Sequence, residues 1–222
     1  MKLLLNKFIF FVITVIFFSS YTFAKELNSE YIIEVGKINI GKLLWSITLD
    51  ETKYEIFIKL EDGGFFAGLY NFSGIYNTKG KIVNKNLVPL RYKQKWVTKK
   101  KNRNVELYFT NGSVSKLNLF PIEVMAPKIK YLGVGGVFDP LSSFLNILKN
   151  NSSSNTIDGR RFYKMVVVQE NLQNNIIVKN INIENYLNIW ADHNNNDIRS
   201  IQFEQVGGGE FVLPHKINIK YK

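Results

Sequence analysis

The feature of this sequence that most constrains its fold is an alternation of apolar and polar residues with a period of two. After Gly41, for example, Trp45, Ile47 and Leu49 share one face of an extended segment, and mostly polar residues occupy the other face. A period of two is typical of antiparallel strands that bury one face. Further strand-like segments are 31–36, 54–60, 65–75, 81–83, 90–98, 105–110, 161–168, 176–183, 186–190, 198–206 and 211–221. We therefore predict a mainly β protein, a curved antiparallel sheet or half-barrel of about ten strands.

One segment breaks the alternation and has the spacing of an α-helix. Asp139 is a favourable N-cap residue, and Pro140 suits the first helical position. The apolar residues that recur at helical spacing are Leu141, Phe144, Leu145 and Leu148. We predict a central helix over 140–149 that covers or plugs the concave face of the sheet, because so short a helix needs a surface on which to bury its apolar side.

Residues 1–24 have the pattern of a cleavable signal peptide. A positively charged start is followed by an uncharged apolar run over 8–18, which is shorter than the roughly 20 residues that span a membrane. Small residues at Thr22 and Ala24 then form a cleavage pattern. We predict removal of 1–24, with an uncleaved anchor helix over 3–24 as the alternative.

Cleavage would leave 25–222, a length that fits a single β-rich domain. The sequence has no cysteine, so packing and backbone pairing must stabilise the domain without disulfides. Lys25 stands where bacterial lipoproteins carry the cysteine that is acylated. We therefore predict a periplasmic protein without a lipid anchor and without a membrane span in the mature chain.

The chain is strongly basic, with a formal net charge of +11. Removal of the signal peptide takes away Lys2 and Lys7 and leaves about +9, which favours anionic partners such as phospholipid head groups or acidic glycans. We do not expect nucleic acid as a partner, because the positive charges are spread along the chain. Their one cluster is Lys99, Lys100, Lys101 and Arg103. This cluster is either an anion-contacting surface or a solvated hairpin tip whose charges prevent edge pairing.

The residue types that commonly carry catalysis are not arranged in a recognisable pattern. The two histidines, His193 and His215, have no partner at a telling spacing, and the sequence has no Gly-x-Ser-x-Gly segment. Glycines in 133–136 precede the predicted helix but lack the Gly-Lys-Ser/Thr ending of a phosphate loop. We therefore predict no catalytic residue and no cofactor.

One acidic and amide-rich segment resembles the start of a calcium loop. Asp192, Asn194 and Asn196 supply oxygen ligands at alternate positions. The sixth position is Asp197 instead of glycine, and the twelfth is Phe203 instead of glutamate. A hairpin turn explains the segment better, and we predict no metal site.

Aromatic residues are plentiful, with 3 Trp, 11 Tyr and 17 Phe. The alternation directs most of those in the strands inward, where they either fill a core or line a ligand cavity, whereas exposed aromatics would stack on sugars. If a cavity is present, the residues we expect to line it are Trp45, Phe57, Trp96, Leu141, Phe144, Leu145 and Trp190.

Four short segments occur along the chain in a characteristic order. They are 31–41, 87–92, 138–143 and 157–163, and their most specific parts are Asp139-Pro140-Leu141-Ser142 and Asp158-Gly159-Arg160-Arg161. Together they resemble an uncharacterised family of exported proteins from Gram-negative bacteria that is known only as a domain of unknown function. The resemblance implies a periplasmic antiparallel sheet that curls around a central helix, similar in outline to the half-barrels of lipoprotein carriers. It implies no activity and no functional residue.

These observations lead to one functional expectation and one alternative. We expect a periplasmic, non-enzymatic protein that binds a hydrophobic or amphiphilic envelope component, a lipid or a lipid-linked molecule, because aromatic residues point inward and the exterior is positive. The alternative is an interaction or scaffold protein for envelope assembly, with a solid core, envelope proteins as partners and no small ligand. A hydrolase of cell-wall polymers would need clustered acids or paired histidines, which the spacing does not predict.

Overall fold

The computed structural model of the chain describes residues 24–63, 71–190, 198–207 and 212–221. The predicted signal peptide, apart from Ala24, lies outside these residues, as does the turn that holds Asp192 and His193. The described residues are mainly β, with antiparallel sheets and one helix, which confirms the predicted fold class.

Twelve strands of the described chain form two sheets, and each strand pairs antiparallel with the next one in its sheet. The first sheet contains β1 (Lys25–Val35), β2 (Ile38–Leu49), β3 (Lys53–Asp62), β4 (Phe72–Val83), β5 (Asn86–Thr98), β6 (Asn102–Thr110) and β7 (Ser113–Phe120). The second contains β8 (Ser153–Ile157), β9 (Arg161–Gln173), β10 (Ile176–Asn188), β11 (Ile198–Val206) and β12 (Lys216–Tyr221). The strands divide between two sheets because an irregular segment at 121–139 and the helix separate β7 from β8.

Tight two-residue turns join several of the neighbouring strands. The turn pairs with positive φ at both residues are Gly36 and Lys37, Asn84 and Lys85, Asn111 and Gly112, and Asn174 and Asn175. Positive φ at both positions is the mark of a type I′ turn, whose twist matches that of the flanking strands, and asparagine tolerates this conformation better than most residues do. The many asparagines of the sequence therefore have a structural role in these hairpins.

Helix α1 (Pro140–Leu148) begins as the sequence predicts and ends one residue earlier. The carboxylate of Asp139 accepts hydrogen bonds from the backbone N–H groups of Leu141 at 3.0 Å and Ser142 at 3.1 Å. It also accepts from the hydroxyls of Thr78 on β4 and of Ser142, both at 2.6 Å. The N-cap is thus also the point at which α1 is fastened to the first sheet.

Two apolar clusters hold the elements together. The helix core packs α1 against both sheets; its buried members are Trp45, Ile47, Leu49, Tyr54, Ile56, Leu87, Phe144, Leu145, Ile147, Leu148, Met165, Ile181, Ile183, Ile201 and Phe203. The second core joins β5–β7 to the end of β8 and the segment after β10; its buried members are Tyr92, Val105, Leu107, Phe109, Val114, Val137, Ile157, Ile189 and Trp190. The inward faces of both sheets are therefore largely occupied by apolar side chains.

Candidate functional site: a cavity between the two sheets

A partly open cavity of about 420 Å³ lies between residues of the two sheets, and its volume is in the usual size range of small-molecule sites. We call it the tyrosine cavity. The first sheet contributes Tyr76, Gln94, Trp96 and Arg103, and the second contributes Arg161, Tyr163, Met165, Ile183, Tyr186, Ile198, Ile201 and Tyr221, with Asp158 from the turn before β9. Met165, Ile183 and Ile201 belong to the helix core as well, so the floor of the cavity is the edge of that core.

Strand periodicity explains why these side chains converge. Gln94 and Trp96 are two residues apart on β5, and Arg103 lies opposite Trp96 in the antiparallel register with β6. Arg161, Tyr163 and Met165 alternate in the same way along β9. Residues at alternate positions of a strand project to the same side of a sheet, so each sheet turns its own set toward the cavity.

The indole of Trp96 is held in place by its neighbours on β4. It stacks on Phe72, with ring centroids 5.7 Å apart and an angle of 17° between the planes. Gly74 leaves the room for it, because a Cβ atom at this position would lie 2.9 Å from Cε3 of Trp96. The aromatic wall on this side of the cavity is therefore fixed by packing.

Two tyrosines of the cavity, Tyr76 and Tyr163, carry neutral hydroxyl groups. Burial raises the pKa of Tyr76 to about 12, and a hydrogen bond with Gln94 acts in the opposite direction. Gln94 also accepts a hydrogen bond of 3.2 Å from the buried hydroxyl of Tyr92. Burial likewise raises the pKa of Tyr163, whose ring lies 5.3 Å from that of Tyr186. These phenols remain protonated at neutral pH and can donate as well as accept hydrogen bonds.

Positive charge gathers at the end of the cavity near the turn before β9. Arg103 and Arg161 both line the cavity, and Arg160 adjoins Arg161 in the chain. Burial lowers the pKa of Arg160, and repulsion from the other two arginines lowers it further. Arg160 forms an ion pair with Glu123 in the irregular segment. Asp158 accepts the backbone N–H groups of Arg160 and Arg161, both at 2.8 Å, and so shapes the turn. Three cations beside two carboxylates give this end of the cavity a positive balance, which suits an anionic group.

A second cavity of about 330 Å³ lies on the other side of β9. Its walls are mostly apolar and include Val134, Val137 and Phe162, and the polar groups that reach it include Lys130 and Lys164. Phe162 and Lys164 alternate with Tyr163, which is the one residue common to the two cavities. The lining of the second cavity contains no arginine and a single tyrosine, so it lacks the guanidinium groups and the cluster of phenols that distinguish the tyrosine cavity.

Two of the predicted site residues, Trp96 and Arg103, meet at the tyrosine cavity. Trp45, Phe144 and Leu145 are instead buried in the helix core, where the rings of Trp45 and Phe144 lie 5.4 Å apart. Their inward direction was predicted, but the space beside them is filled by one another rather than open to a ligand.

The other predicted residues are distributed over the molecule. Trp190 is buried in the second core, where its indole N–H donates to the carbonyl oxygen of Gly159 at 3.4 Å. Leu141 is partly buried and touches both cores. Phe57 is partly buried on the face of β3 opposite Ile56, away from the helix core. Lys99, Lys100 and Lys101 are exposed at the tip of the β5–β6 hairpin, a position that fits an anion-contacting surface and a solvated hairpin tip equally well.

Several cavity residues were not singled out by sequence reasoning, namely Tyr76, Tyr163, Tyr186, Tyr221 and Arg161. The strands of the other four were predicted, but Tyr76 falls between the predicted segments 65–75 and 81–83; the break predicted there is wrong, because β4 runs without interruption through Phe72–Val83. Within β9 the alternation already separates Arg161 and Tyr163 from Phe162. The sequence does not predict which residues of one sheet face which residues of the other. This arrangement decides whether an inward tyrosine packs against another side chain or lines a cavity.

Side chains that typically bind metal ions are dispersed over the described residues. In the part of the chain that the structure describes, no three His, Asp or Glu residues are placed to hold a metal ion. His215 lies before β12 with its Nε2 3.4 Å from Glu204 Oε2. No helix among these residues is long and apolar enough to cross a membrane.

Comparison with known proteins gives one match. The family model described as "Protein of unknown function (DUF3108)" matches residues 30–185, which is more than half of the chain. The match includes the whole first sheet except the start of β1, the helix and most of the β8–β10 region. No curated protein and no solved structure matches this chain.

Proposed function

We propose that this chain, which belongs to the DUF3108 family of proteins of unknown function, is a periplasmic, non-enzymatic protein that binds an amphiphile with an anionic head group. The observation that carries the proposal is the tyrosine cavity, where an apolar floor and aromatic walls lead to a cluster of arginines. A ligand that is apolar at one end and negative at the other matches both parts of this lining.

The walls of the cavity divide into two chemical environments. Met165, Ile183 and Ile201 offer an apolar surface to a hydrocarbon chain. Arg103 and Arg161 offer planar donors that bind carboxylate or phosphate oxygens in pairs. The neutral phenols between them can accept or donate hydrogen bonds to glycerol or ester oxygens. An envelope lipid or lipid-linked molecule would use both environments.

The non-enzymatic part of the proposal is supported by how the one carboxylate of the cavity lining is engaged. Asp158 is hydrogen-bonded to two backbone N–H groups of its own turn. Both bonds reach Oδ1 and fix the turn before β9, so the shape of this turn gives Asp158 a structural role at the cavity. The polar side chains of the lining are thus arranged for binding and orientation.

The first experiment is native mass spectrometry with lipid extraction on the processed protein, purified gently from its own periplasm. We expect a bound amphiphile in the spectrum, recovery in the osmotic-shock fraction and Lys25 as the first residue. A protein recovered from the cytoplasm would contradict the location. A bare protein that also fails to bind lysophosphatidylglycerol when this is added would overturn the binding function.

A matched set of variants locates the head-group site. Arg103→Gln combined with Arg161→Gln should weaken binding of lysophosphatidylglycerol at least about tenfold, because charge-assisted hydrogen bonds to the phosphate are lost. Arg199→Gln is the control, since this arginine is exposed on β11 and does not line the cavity. Binding of zwitterionic lysophosphatidylcholine should change much less. Equal affinities for the double variant and the control would exclude the arginine cluster as the head-group site.

The filled helix core supports a second candidate function, an interaction or scaffold protein for envelope assembly. Trp45, Phe144 and Leu145 pack against one another rather than around a void. A scaffold should retain its partners when Ile198 at the edge of the cavity is enlarged to phenylalanine, whereas an amphiphile-binding protein should lose its ligand. This variant therefore separates the two candidates.

A further inference from the structure

The end of β7 and the irregular segment that follows it expose an unusual concentration of apolar side chains. Phe120 is 51% exposed, Ile122 81%, Val124 99% and Met125 57%. Four such residues within six positions form what we call the apolar tip. Single exposed apolar residues are common on soluble proteins, but a contiguous group of them marks a surface that meets an apolar partner.

The apolar tip is held out from the body of the protein by contacts on both sides. Glu123, inside the tip, forms an ion pair with Arg160, and the backbone N–H of Lys128 donates to the carbonyl oxygen of Ile189 at 2.6 Å. Further along, the backbone of Gly133 and Val134 is hydrogen-bonded to Val114 on β7. The exposure of Ile122 and Val124 is therefore built into the fold rather than a consequence of a loose loop.

The residues around the apolar tip carry positive charge. Lys116 is exposed on β7 at alternate spacing with Phe120, so the two share one face of the strand. Lys128 and Lys130 are exposed on the other flank of the tip. The one acidic residue of 116–130, Glu123, is already paired with Arg160. Apolar side chains flanked by lysines are the combination that binds an anionic lipid surface, where each part contributes independently.

We propose that the apolar tip inserts into the head-group region of a lipid bilayer containing anionic phospholipids, with Lys116, Lys128 and Lys130 at the level of the phosphates. The surface is distinct from the tyrosine cavity, and it would hold the protein at the membrane without a spanning segment. The inference does not depend on what the cavity binds.

The test is flotation of the processed protein with vesicles of phosphatidylcholine alone or with one quarter phosphatidylglycerol. We expect binding to the anionic vesicles, weakened by salt because the lysine contribution is screened. The double variant Ile122→Ser with Val124→Ser should bind at least about tenfold more weakly, since two apolar side chains no longer enter the bilayer.

The control is Val168→Ser with Leu172→Ser on β9, where the two residues are 52% and 68% exposed but stand apart from the tip in the chain. This control should bind vesicles within about twofold of the unaltered protein. The arginine double variant of the tyrosine cavity should also retain vesicle binding, which keeps the two proposals separable. Absence of vesicle binding by the unaltered protein, or equal losses in the tip and control variants, would overturn the inference.

A fluorescence measurement tests the position of the apolar tip in the bilayer directly, independently of the strength of vesicle binding. In the Val124→Trp variant the new indole should be quenched by phospholipids brominated on their acyl chains, whereas Leu172→Trp should not be quenched. A Val124→Trp protein that floats with vesicles but shows no quenching would place the membrane contact elsewhere and contradict the proposal.

Discussion

The helix core and the tyrosine cavity occupy adjoining parts of the same space between the two sheets, yet one is filled and the other is open. They share Met165, Ile183 and Ile201, so the second sheet presents one continuous floor to both. Over the first part of that floor, Phe144, Leu145 and Leu148 of α1 fill the gap between the sheets. The position of one nine-residue helix therefore decides where the protein has a core and where it has room for a ligand.

The side chains of the helix core and of the tyrosine cavity differ in polarity, as expected for a filled space and an open one. The helix core is built mainly of aliphatic and phenyl groups, which need no partner when they are buried. The lining of the cavity contains hydroxyl, amide and guanidinium groups, for example on Tyr76, Gln94 and Arg161. Such groups are costly to bury without hydrogen bonds. The cavity is therefore suited to water or a polar ligand end, and closing it would be unfavourable.

The largest effect on stability should come from creating a cavity in the helix core. Leu145→Ala removes a side chain with no exposed surface from the centre of the helix core, and we expect a loss of about 3–5 kcal/mol in the free energy of unfolding. Ile198→Ala, at the edge of the cavity, should cost only about 1 kcal/mol, because the space it leaves joins a void that already exists. Urea denaturation followed by circular dichroism measures both. Equal losses would mean that the two regions do not differ in packing.

The next effect concerns the attachment of α1, which keeps the filled region filled. Asp139→Ala leaves two hydroxyl donors and two backbone N–H groups without their acceptor, and should cost about 2–3 kcal/mol. Asp139→Asn retains an N-cap oxygen and should cost about 1 kcal/mol or less at neutral pH. A loss in the asparagine variant as large as that in the alanine variant would show that the negative charge itself is required.

The same residue makes the filled region sensitive to acid in a defined direction. Burial raises the pKa of Asp139 above its ordinary value, so the folded protein holds this proton more tightly than the unfolded chain does. The stabilisation from protonation is complete below the unfolded pKa and is lost as the pH rises through the folded pKa. The stability of the unaltered protein relative to Asp139→Asn should therefore increase as the pH falls toward about 4. A difference that decreases over this range would contradict the role of burial.

A smaller change in stability, but a large one in binding, should follow when the open region is filled. Ile198→Phe places a larger apolar side chain at the cavity, and since it enters space that is already empty, we expect a change of less than about 1 kcal/mol in unfolding. Binding of lysophosphatidylglycerol should fall at least about tenfold if the proposed function is correct. A matched enlargement at the outer face, Val168→Phe, should affect neither property. Unchanged binding in Ile198→Phe would place the ligand outside the tyrosine cavity.

The helix core and the tyrosine cavity also differ in how much of each could be predicted from the sequence. The period of two predicted ten of the strands at least in part, but not β7 or β8, which are short and rich in polar residues. The Asp139-Pro140 pair predicted where α1 begins. Both depend on neighbours in the chain. Whether Trp45 meets Phe144 and Trp96 meets a void depends on residues more than 40 positions away, and on the division of the strands into two sheets. For that reason the sequence predicted both Trp45 and Trp96 to line a cavity, whereas in the structure Trp45 lies in the helix core and Trp96 lines the tyrosine cavity.

The smallest effect should distinguish the two regions through their tyrosines. Burial raises the pKa of Tyr76 in the cavity to about 12, and burial together with the nearby Asp139 raises that of Tyr54 in the helix core still further. Between about pH 10 and 12 the unfolded chain loses the Tyr76 proton before the folded protein does, so stability falls across this window.

Tyr76→Phe should therefore lose less stability than the unaltered protein on going from pH 10 to 12, although at neutral pH it costs only about 0.5–1 kcal/mol for the hydrogen bond with Gln94. Tyrosinate absorbance should show one titrating group fewer in that window. Tyr54→Phe should leave the absorbance of the folded protein in this window unchanged, because folded Tyr54 ionises above it, although Tyr54→Phe too should lose less stability than the unaltered protein across the window. If the titrating group lost in Tyr76→Phe instead had a pKa near 10, and stability fell equally in both proteins, the hydroxyl of Tyr76 would be open to bulk water and the cavity would be a surface groove rather than a shielded site.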